Sequence, residues 1–428
     1  MRHIRELGAQ ERGRVEEGKG LFVMATRTAS TQDDLRRLNR ARLLRHLHEH
    51  GAARRSDLVA FSGLNRSTVG VLVSELAEAG LVSEAAGAPG QVGRPSLLVE
   101  PVADSAVVIA FDLRVDCTVV ALVGLGGQEI WRREQPHPRP TFTPEAAVRN
   151  VVSLIKQALR RAPDDSSWVG VGVGVPGIVD HADGLVRLAP NLGWSDVPLG
   201  RLLREAVGAR FGFVPHISVS NDADLGAIAE HVRGVGKSNR NLIFLSGEVG
   251  IGGGIIIDGR PMLGAGGFGG EVGHMVVNPR GTECRCGAFG CWETEIGSDA
   301  LMRAAGINDE GASVADVLEA AASGDRKARA AIDEAGEWLG LGLANLVNLF
   351  NPEVIVLGGH LRLLLPLVSA AVYRQVHHAL PASRDQVRVE VPALNGDSTL
   401  LGAAETAFEE LLIDPIAVIA DAPHASAS

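Results

Sequence analysis

The chain has 428 residues, 46% apolar and 21% charged, with 52 glycines, four cysteines and a net charge of −10. That length and composition suit two or three soluble domains with a sizeable core. No apolar run approaches the roughly 18–20 residues that cross a bilayer, and residues 1–24 lack the apolar stretch of a signal peptide, so the expected compartment is the cytoplasm, with no membrane partner.

Residues 1–30 are polar and read as a disordered extension, and Met24, just before helical periodicity begins, is a candidate biological start. From residue 33, Leu35, Leu38, Leu43 and Leu47 recur at helical spacing until Gly51 stops the run. Ser56 is placed to cap a short second helix holding Leu58 and Phe61. Gly63 allows a tight turn, and Asn65 can cap a third helix whose Val69, Leu72, Val73 and Leu76 form one apolar stripe up to Gly80. An extended run from Leu81, a Gly/Pro-rich loop over 89–95 and a strand at 97–99 complete a winged helix-turn-helix over 31–100. With the stripe turned inward, Asn65, Arg66, Ser67 and Thr68 face outward, where they can meet base edges and phosphates in a major groove. Arg54 and Arg55 suit backbone contacts, and Arg94 reaches a phosphate or a minor groove from the wing. The partner expected for these residues is operator DNA. Residues 25–100 carry 10 Arg against 8 Asp/Glu, whereas residues 101–428 carry 26 basic against 39 acidic residues, which agrees with an anionic partner for the first module. The other reading of the same pattern is a small helical protein-interaction domain with a solvated polar face.

After Pro101 short apolar strands alternate with helices. Strands at 107–111 and 119–123 flank a polar turn, strands at 242–245 and 255–257 flank a glycine-rich one, and helices are expected at 144–161, 199–210 and 325–350. This is one α/β plan used twice, giving two lobes with a cleft, with a helix near 400–412 crossing back to the first lobe. The body is expected over 101–412 and a flexible tail over 413–428. Polar residues gather at loops and strand ends: Asn191, the Asn221-Asp222 pair, Glu271, His274 and Glu293. Singly, each reads as a cap or a turn. Together they offer the donors and acceptors that satisfy the hydroxyls of a monosaccharide.

Three of the four cysteines fall within eight residues, in Cys284-Arg285-Cys286-Gly287-Ala288-Phe289-Gly290-Cys291, with His274 just upstream. Three thiolates and an imidazole satisfy a tetrahedral structural Zn²⁺. Glu271 and Glu293 flank these ligands, so a metal would fix both carboxylates. The alternatives are a set of buried thiols without metal, or a disulfide, for which Cys284 and Cys286 stand too close. Cys117, in an apolar run, reads as a core residue.

The run Glu271-x-x-His274, followed by Cys-x-Cys-Gly-x-x-Gly-Cys-x-Glu, resembles the signature of the ROK family (repressors, open reading frames and sugar kinases). The blocks at 173–177, 190–194, Asn221-Asp222-Ala223 and 351–359 are similar to that family's other motifs. The resemblance implies a two-lobed actin-like ATPase fold, and the winged helix places the chain beside the family's transcriptional regulators. It also implies zinc on His274, Cys284, Cys286 and Cys291, and a sugar pocket lined by Asn191, Asn221, Asp222, Glu271, His274 and Glu293. The residue matching Asp222 is the base of the family's kinases.

Those kinases carry Asp-x-Gly-Gly-Thr in the first turn and Gly-Thr-Gly in the second, where backbone amides approach ATP phosphates. Here the stretches read Asp112-Leu113-Arg114-Val115-Asp116 and Glu248-Val249-Gly250. The expected function is therefore a non-enzymatic, sugar-responsive repressor, working as a homodimer or homotetramer. A sugar kinase with an added DNA-binding domain, and a regulator controlled by a protein partner, are the alternatives.

Overall fold

The structure, a computed structural model, describes residues 31–86, 97–137, 142–309 and 311–425. The expected extension over 1–30, the candidate start at Met24 and the wing tip with Arg94 lie outside the described residues.

Helix α1 (Gln32–His50) begins where Thr31 accepts from the Asp34 amide at 3.1 Å. Strand β1 (Ala53–Arg54) leads directly into α2 (Arg55–Ser62). Gly63, at φ 71°, turns the chain through a left-handed conformation into α3 (Arg66–Glu78). Strands β2 (Val82–Ala86) and β3 (Leu97–Pro101) form the wing, in a sheet of order β1-β3-β2. Leu43, Leu47, Leu58, Val69, Val73 and Leu76 are fully buried between the three helices, as the periodicity predicts. One cap differs from expectation. The pairing of Arg54 with Leu98 of β3 fixes the chain up to Arg54, so α2 starts before Ser56, and the Ser56 hydroxyl donates to Asp57 instead of capping.

The body repeats one topology. Strands β4 (Ala106–Leu113), β5 (Cys117–Gly124) and β6 (Gln128–Pro136) form a meander, and α4 (Pro144–Leu159) crosses to β7 (Ser167–Val175). A small sheet of β8 (Ile178–Asp180), β9 (Leu185–Ala189) and β10 (Trp194–Val197), then α5 (Leu199–Phe211), precede β11 (His216–Asn221). The order is β11-β7-β4-β5-β6. Every residue of β4 and β7 is buried, as expected of strands covered on both faces. Helix α6 (Asp222–Val232) leads into the second lobe, whose meander is β12 (Leu242–Gly247), β13 (Ile251–Ile257) and β14 (Arg260–Pro261). Helices α7 (Glu293–Ile296), α8 (Ser298–Ala305), α9 (Val314–Ala322) and α10 (Arg326–Phe350) precede β15 (Val354–Gly359). Then α11 (Leu361–Val376), α12 (Pro381–Arg384) and β16 (Arg388–Glu390) complete an order of β14-β13-β12-β15-β16. The two sheets are thus built alike: a meander, with two parallel strands added beside its first strand.

Helix α13 (Ser398–Ala407) returns to the first lobe and lies on β7. A Cβ at Gly170 would stand 2.1 Å from the Ala407 carbonyl oxygen, and one at Gly172 only 1.9 Å from that of Ala403. The helix backbone therefore rests directly on the sheet. Helices α14 (Glu409–Ile413) and α15 (Pro415–Asp421) follow. The flexible tail expected over 413–428 is instead a docked segment as far as residue 425. Val418, Ile419 and Ala422 pack on the core, the Trp168 amide donates to Pro423 O (3.1 Å), and the amide of buried Ala425 donates to Ser166 O (2.7 Å). Among the described residues no helix is long and apolar enough to cross a membrane.

Candidate functional site

The start of α3 is the exposed edge of the winged helix. Asn65 Oδ1 accepts from the Thr68 amide (2.8 Å) and from the Ser67 hydroxyl (2.7 Å), so the cap also orients Ser67. Asn65, Arg66 and Ser67 are exposed, Thr68 is half-buried, and Val71 continues the exposed face. Arg54 is exposed as well. Arg55 is not available as expected. Its guanidinium makes a two-pronged ion pair with Glu84 of β2 and braces α2 against the wing.

In the second lobe the chain from 271 to 293 folds into a compact knuckle. The ligand atoms of His274, Cys284, Cys286 and Cys291 all lie within 4.8 Å of one another. Cys286 Sγ is 3.6 Å from Cys291 Sγ, and His274 Nδ1 is 3.7 Å from Cys284 Sγ. These separations fit one tetrahedral ion with bonds of about 2.3 Å to sulfur and about 2.0 Å to nitrogen. Burial pushes the Cys284 thiol up, and a divalent cation would supply the charge that keeps the thiolates ionised. The donor set therefore fits a metal.

The knuckle aims carboxylates as the spacing suggests. Glu293 Oε1 lies 3.0 Å from Cys284 Sγ and 3.7 Å from His274 Nδ1, and Glu271 Oε2 lies 3.9 Å from His274 Nε2. The two ring nitrogens of His274 thus look toward different groups, Nδ1 toward Cys284 and Glu293 and Nε2 toward Glu271. Asn221 closes β11 and caps α6, accepting from the amides of Ala223 (2.8 Å) and Asp224 (3.1 Å) while its Nδ2 donates to Gly177 O (2.8 Å). The cap role considered for Asp222 belongs to Asn221, and Asp222 is the first helical residue. Burial first, then the charges of Asp112 and Glu248, push the Asp222 carboxyl up to about 7. Asn191 lines a cleft of about 470 Å³ together with Phe142, Thr143 and Trp194.

The two turns that differ from the kinase pattern are filled by side chains. Buried Asp112, at the end of β4, accepts from Arg114 Nε at 2.6 Å, and the Arg114 amide closes the turn on Cys117 O. Across the cleft Glu248 opens the β12–β13 turn, and a Cβ at Gly250 would meet Glu293 Oε2 at 2.4 Å.

Two residues escaped the sequence reading. His181 is held between Asp224 Oδ2 (3.2 Å) and Ser220 Oγ (3.3 Å), and Gly267 of the second lobe comes down on its ring. A lone histidine in a loop carries no spacing signal. Trp292 is fully buried against Gly342 of α10 and donates to Trp338 O at 2.9 Å, which anchors the knuckle beside Glu293. Its place between Cys291 and Glu293 was the only available sign.

A winged helix joined to a duplicated two-lobed body, with a His/Cys₃ cluster beside a carboxylate-rich cleft, defines the architecture of a regulator built on a sugar-kinase-like fold. The ROK family model matches residues 108–410, and the chain belongs to the ROK family. It is 31% identical over 397 residues to the xylose repressor of Caldicellulosiruptor bescii, covering 89% of this chain and 98% of that protein. It is 33% identical over 299 residues to a glucokinase of Streptomyces coelicolor, covering 65% of this chain and 90% of that enzyme. The crystal structure of a ROK family transcriptional regulator, described as a homolog of the E. coli MLC protein, superposes with a TM-score of 0.76 at 24% identity, over 90% of this chain and 99% of that one.

Proposed function

We propose that this protein is a sugar-responsive transcriptional repressor whose winged helix binds operator DNA and whose cleft binds a monosaccharide. The observation that carries the reading is the extent of the similarity: the repressor match spans nearly the full length of both chains, whereas the glucokinase match covers 65% of this one. The exposed start of α3 supports Asn65, Arg66, Ser67 and Thr68 as the groove-facing residues, with exposed Arg54 on the backbone, and Arg94, outside the described residues, joins them on its sequence context alone. Two copies of the chain would present two such helices to a two-fold operator.

In the cleft, Asn191, Asn221, Asp222, Glu271, His274 and Glu293 line the sugar site. His274, Cys284, Cys286 and Cys291 hold Zn²⁺, which serves to fix the knuckle and so aims Glu271 and Glu293. Arg114, Val115 and Asp116, standing where the kinases carry Gly-Gly-Thr, and Glu248 in the second turn support a body without kinase activity, since side chains fill the turns where phosphate oxygens would need free amides. Retention of Asp222 favours the kinase as the second reading.

The test is operator selection with purified protein, followed by binding titrations with and without D-xylose and D-glucose. Arg66→Ala should weaken operator binding at least tenfold and leave sugar affinity unchanged. Sugar-dependent ATP turnover, abolished by Asp222→Asn, would establish the kinase instead.

A further inference from the structure

Helix α6 joins the two ends of the molecule that a sugar-responsive repressor must connect. Its first turn holds Asn221 and Asp222 at the cleft. Its C-cap is Arg233, whose side chain bonds Glu405 and Gly126 of the body and also reaches His48 of the winged helix. Between these ends the helix is clamped. A Cβ at Gly254 of β13 would stand 2.2 Å from Ala223 O, and one at Gly402 of α13 would stand 2.0 Å from Leu225 O. The second lobe thus presses on one side of α6 and α13 on the other, and at these two points backbone meets backbone, so little slack is left to absorb a shift.

At the Arg233 end lies a buried polar cluster of three elements. Arg233 Nε donates to Glu405 Oε1 of α13, and Nη1 donates to Gly126 O at 2.9 Å. The Gly126 amide donates to Nδ1 of His48 in α1 at 2.9 Å, and His48 Nε2 lies 3.0 Å from Glu405 Oε2 and 2.8 Å from Arg233 Nη2. His48 is 1% exposed and Glu405 is 8% exposed. Phe408 packs on the His48 ring, and Arg37–Asp414 and Arg45–Glu409 pairs surround the seam. The apolar core is continuous here, running from Leu43, Leu44 and Leu47 of α1 into α6 and α13.

We propose that α6 is the coupling rod of the protein and that His48, Arg233 and Glu405 are the positioning residues that set the winged helix on the body. The proposal rests on the repressor reading. Lobe closure around a sugar displaces α6 between its two clamps, and the displacement reaches α1 through Arg233 and Glu405. A buried network of this kind has an assembled state and a broken one, which is the two-state element that coupling between distant sites needs.

The test uses the full-length protein with Glu405→Gln and, separately, His48→Gln. Operator affinity is measured by fluorescence anisotropy with and without D-xylose and D-glucose. Sugar affinity is followed by calorimetry, and exchange of the α1 amides by mass spectrometry. In the wild type a sugar is expected to shift operator affinity by roughly 5–150-fold. In both variants sugar and operator should still bind, the shift should fall below about 2-fold, and the α1 amides should exchange faster. A variant that loses sugar binding has lost its fold, and the other variant then decides. A full-size shift in both variants overturns the proposal. If no sugar moves wild-type operator affinity, the repressor reading fails, and unchanged α1 protection in both variants overturns the positioning role on its own.

Discussion

Replacing Asp222 by Asn should stabilise the protein in a pH-dependent way. Asp222 sits half-buried at the cleft, with Oδ1 accepting from the Ala223 amide at 2.9 Å, a bond that Asn can keep. Burial, then Asp112, Glu248 and Asp224, raise its pKa from 3.8 to about 7. A carboxyl with a raised folded pKa holds more protons folded than unfolded. It therefore costs nothing well below pH 3.8, costs more as pH rises, and reaches its full cost above about pH 7. A shift of about three units sets a ceiling of about 4 kcal/mol. Water in the open cleft screens part of it, so a gain of about 2 kcal/mol for the variant at pH 8 is expected, with about a third of that at pH 5. Urea denaturation of both proteins at the two pH values measures this directly. An equal gain at pH 5 and pH 8, or a variant less stable at pH 8, would refute the electrostatic account of this residue.

Asn65→Ala should cost about 1 kcal/mol of stability by thermal unfolding, because the α3 cap loses its bond to the Thr68 amide, and Asn65→Asp should restore most of it. Metal analysis should find one zinc per chain in the wild type and none in Cys291→Ser, together with a lower melting temperature. Calorimetry should show a neutral sugar binding at least roughly tenfold tighter than its phosphate ester, since Asp112, Asp222 and Glu248 repel a dianion and Arg114 is already paired with Asp112; equal affinities would contradict this.

The parts legible in the sequence are those whose partners are close along the chain. The stripe of α3 follows a single helix, and the metal ligands span only residues 274–291, so spacing alone brings them together. The duplicated lobes were visible because each meander repeats strand, turn, strand. What stayed hidden depends on through-space pairing. The Arg55–Glu84 pair spans 29 residues, His181–Asp224 spans 43, and His48–Glu405 spans 357. The start of α2 was misplaced because a strand pairing, not a cap, decides it. The tail was misread because its small polar residues hid Val418 and Ile419, whose docking depends on a core made by distant segments.

The glycines of β7 have a consequence for how the molecule comes to exist. The first sheet is fully synthesised once residue 221 has been made, yet the face around Gly170 and Gly172 has no cover until α13 is made, some 180 residues later. Synthesis at about 5–20 residues per second leaves that bare face waiting for at least roughly ten seconds. The winged helix, completed first of all, shares the delay, because its seat on α13 and α14 does not yet exist. Regulation by this chain thus begins only after nearly all of it has been translated, and a nascent fragment that already carries an intact DNA-binding module lacks the surface that would hold it in register.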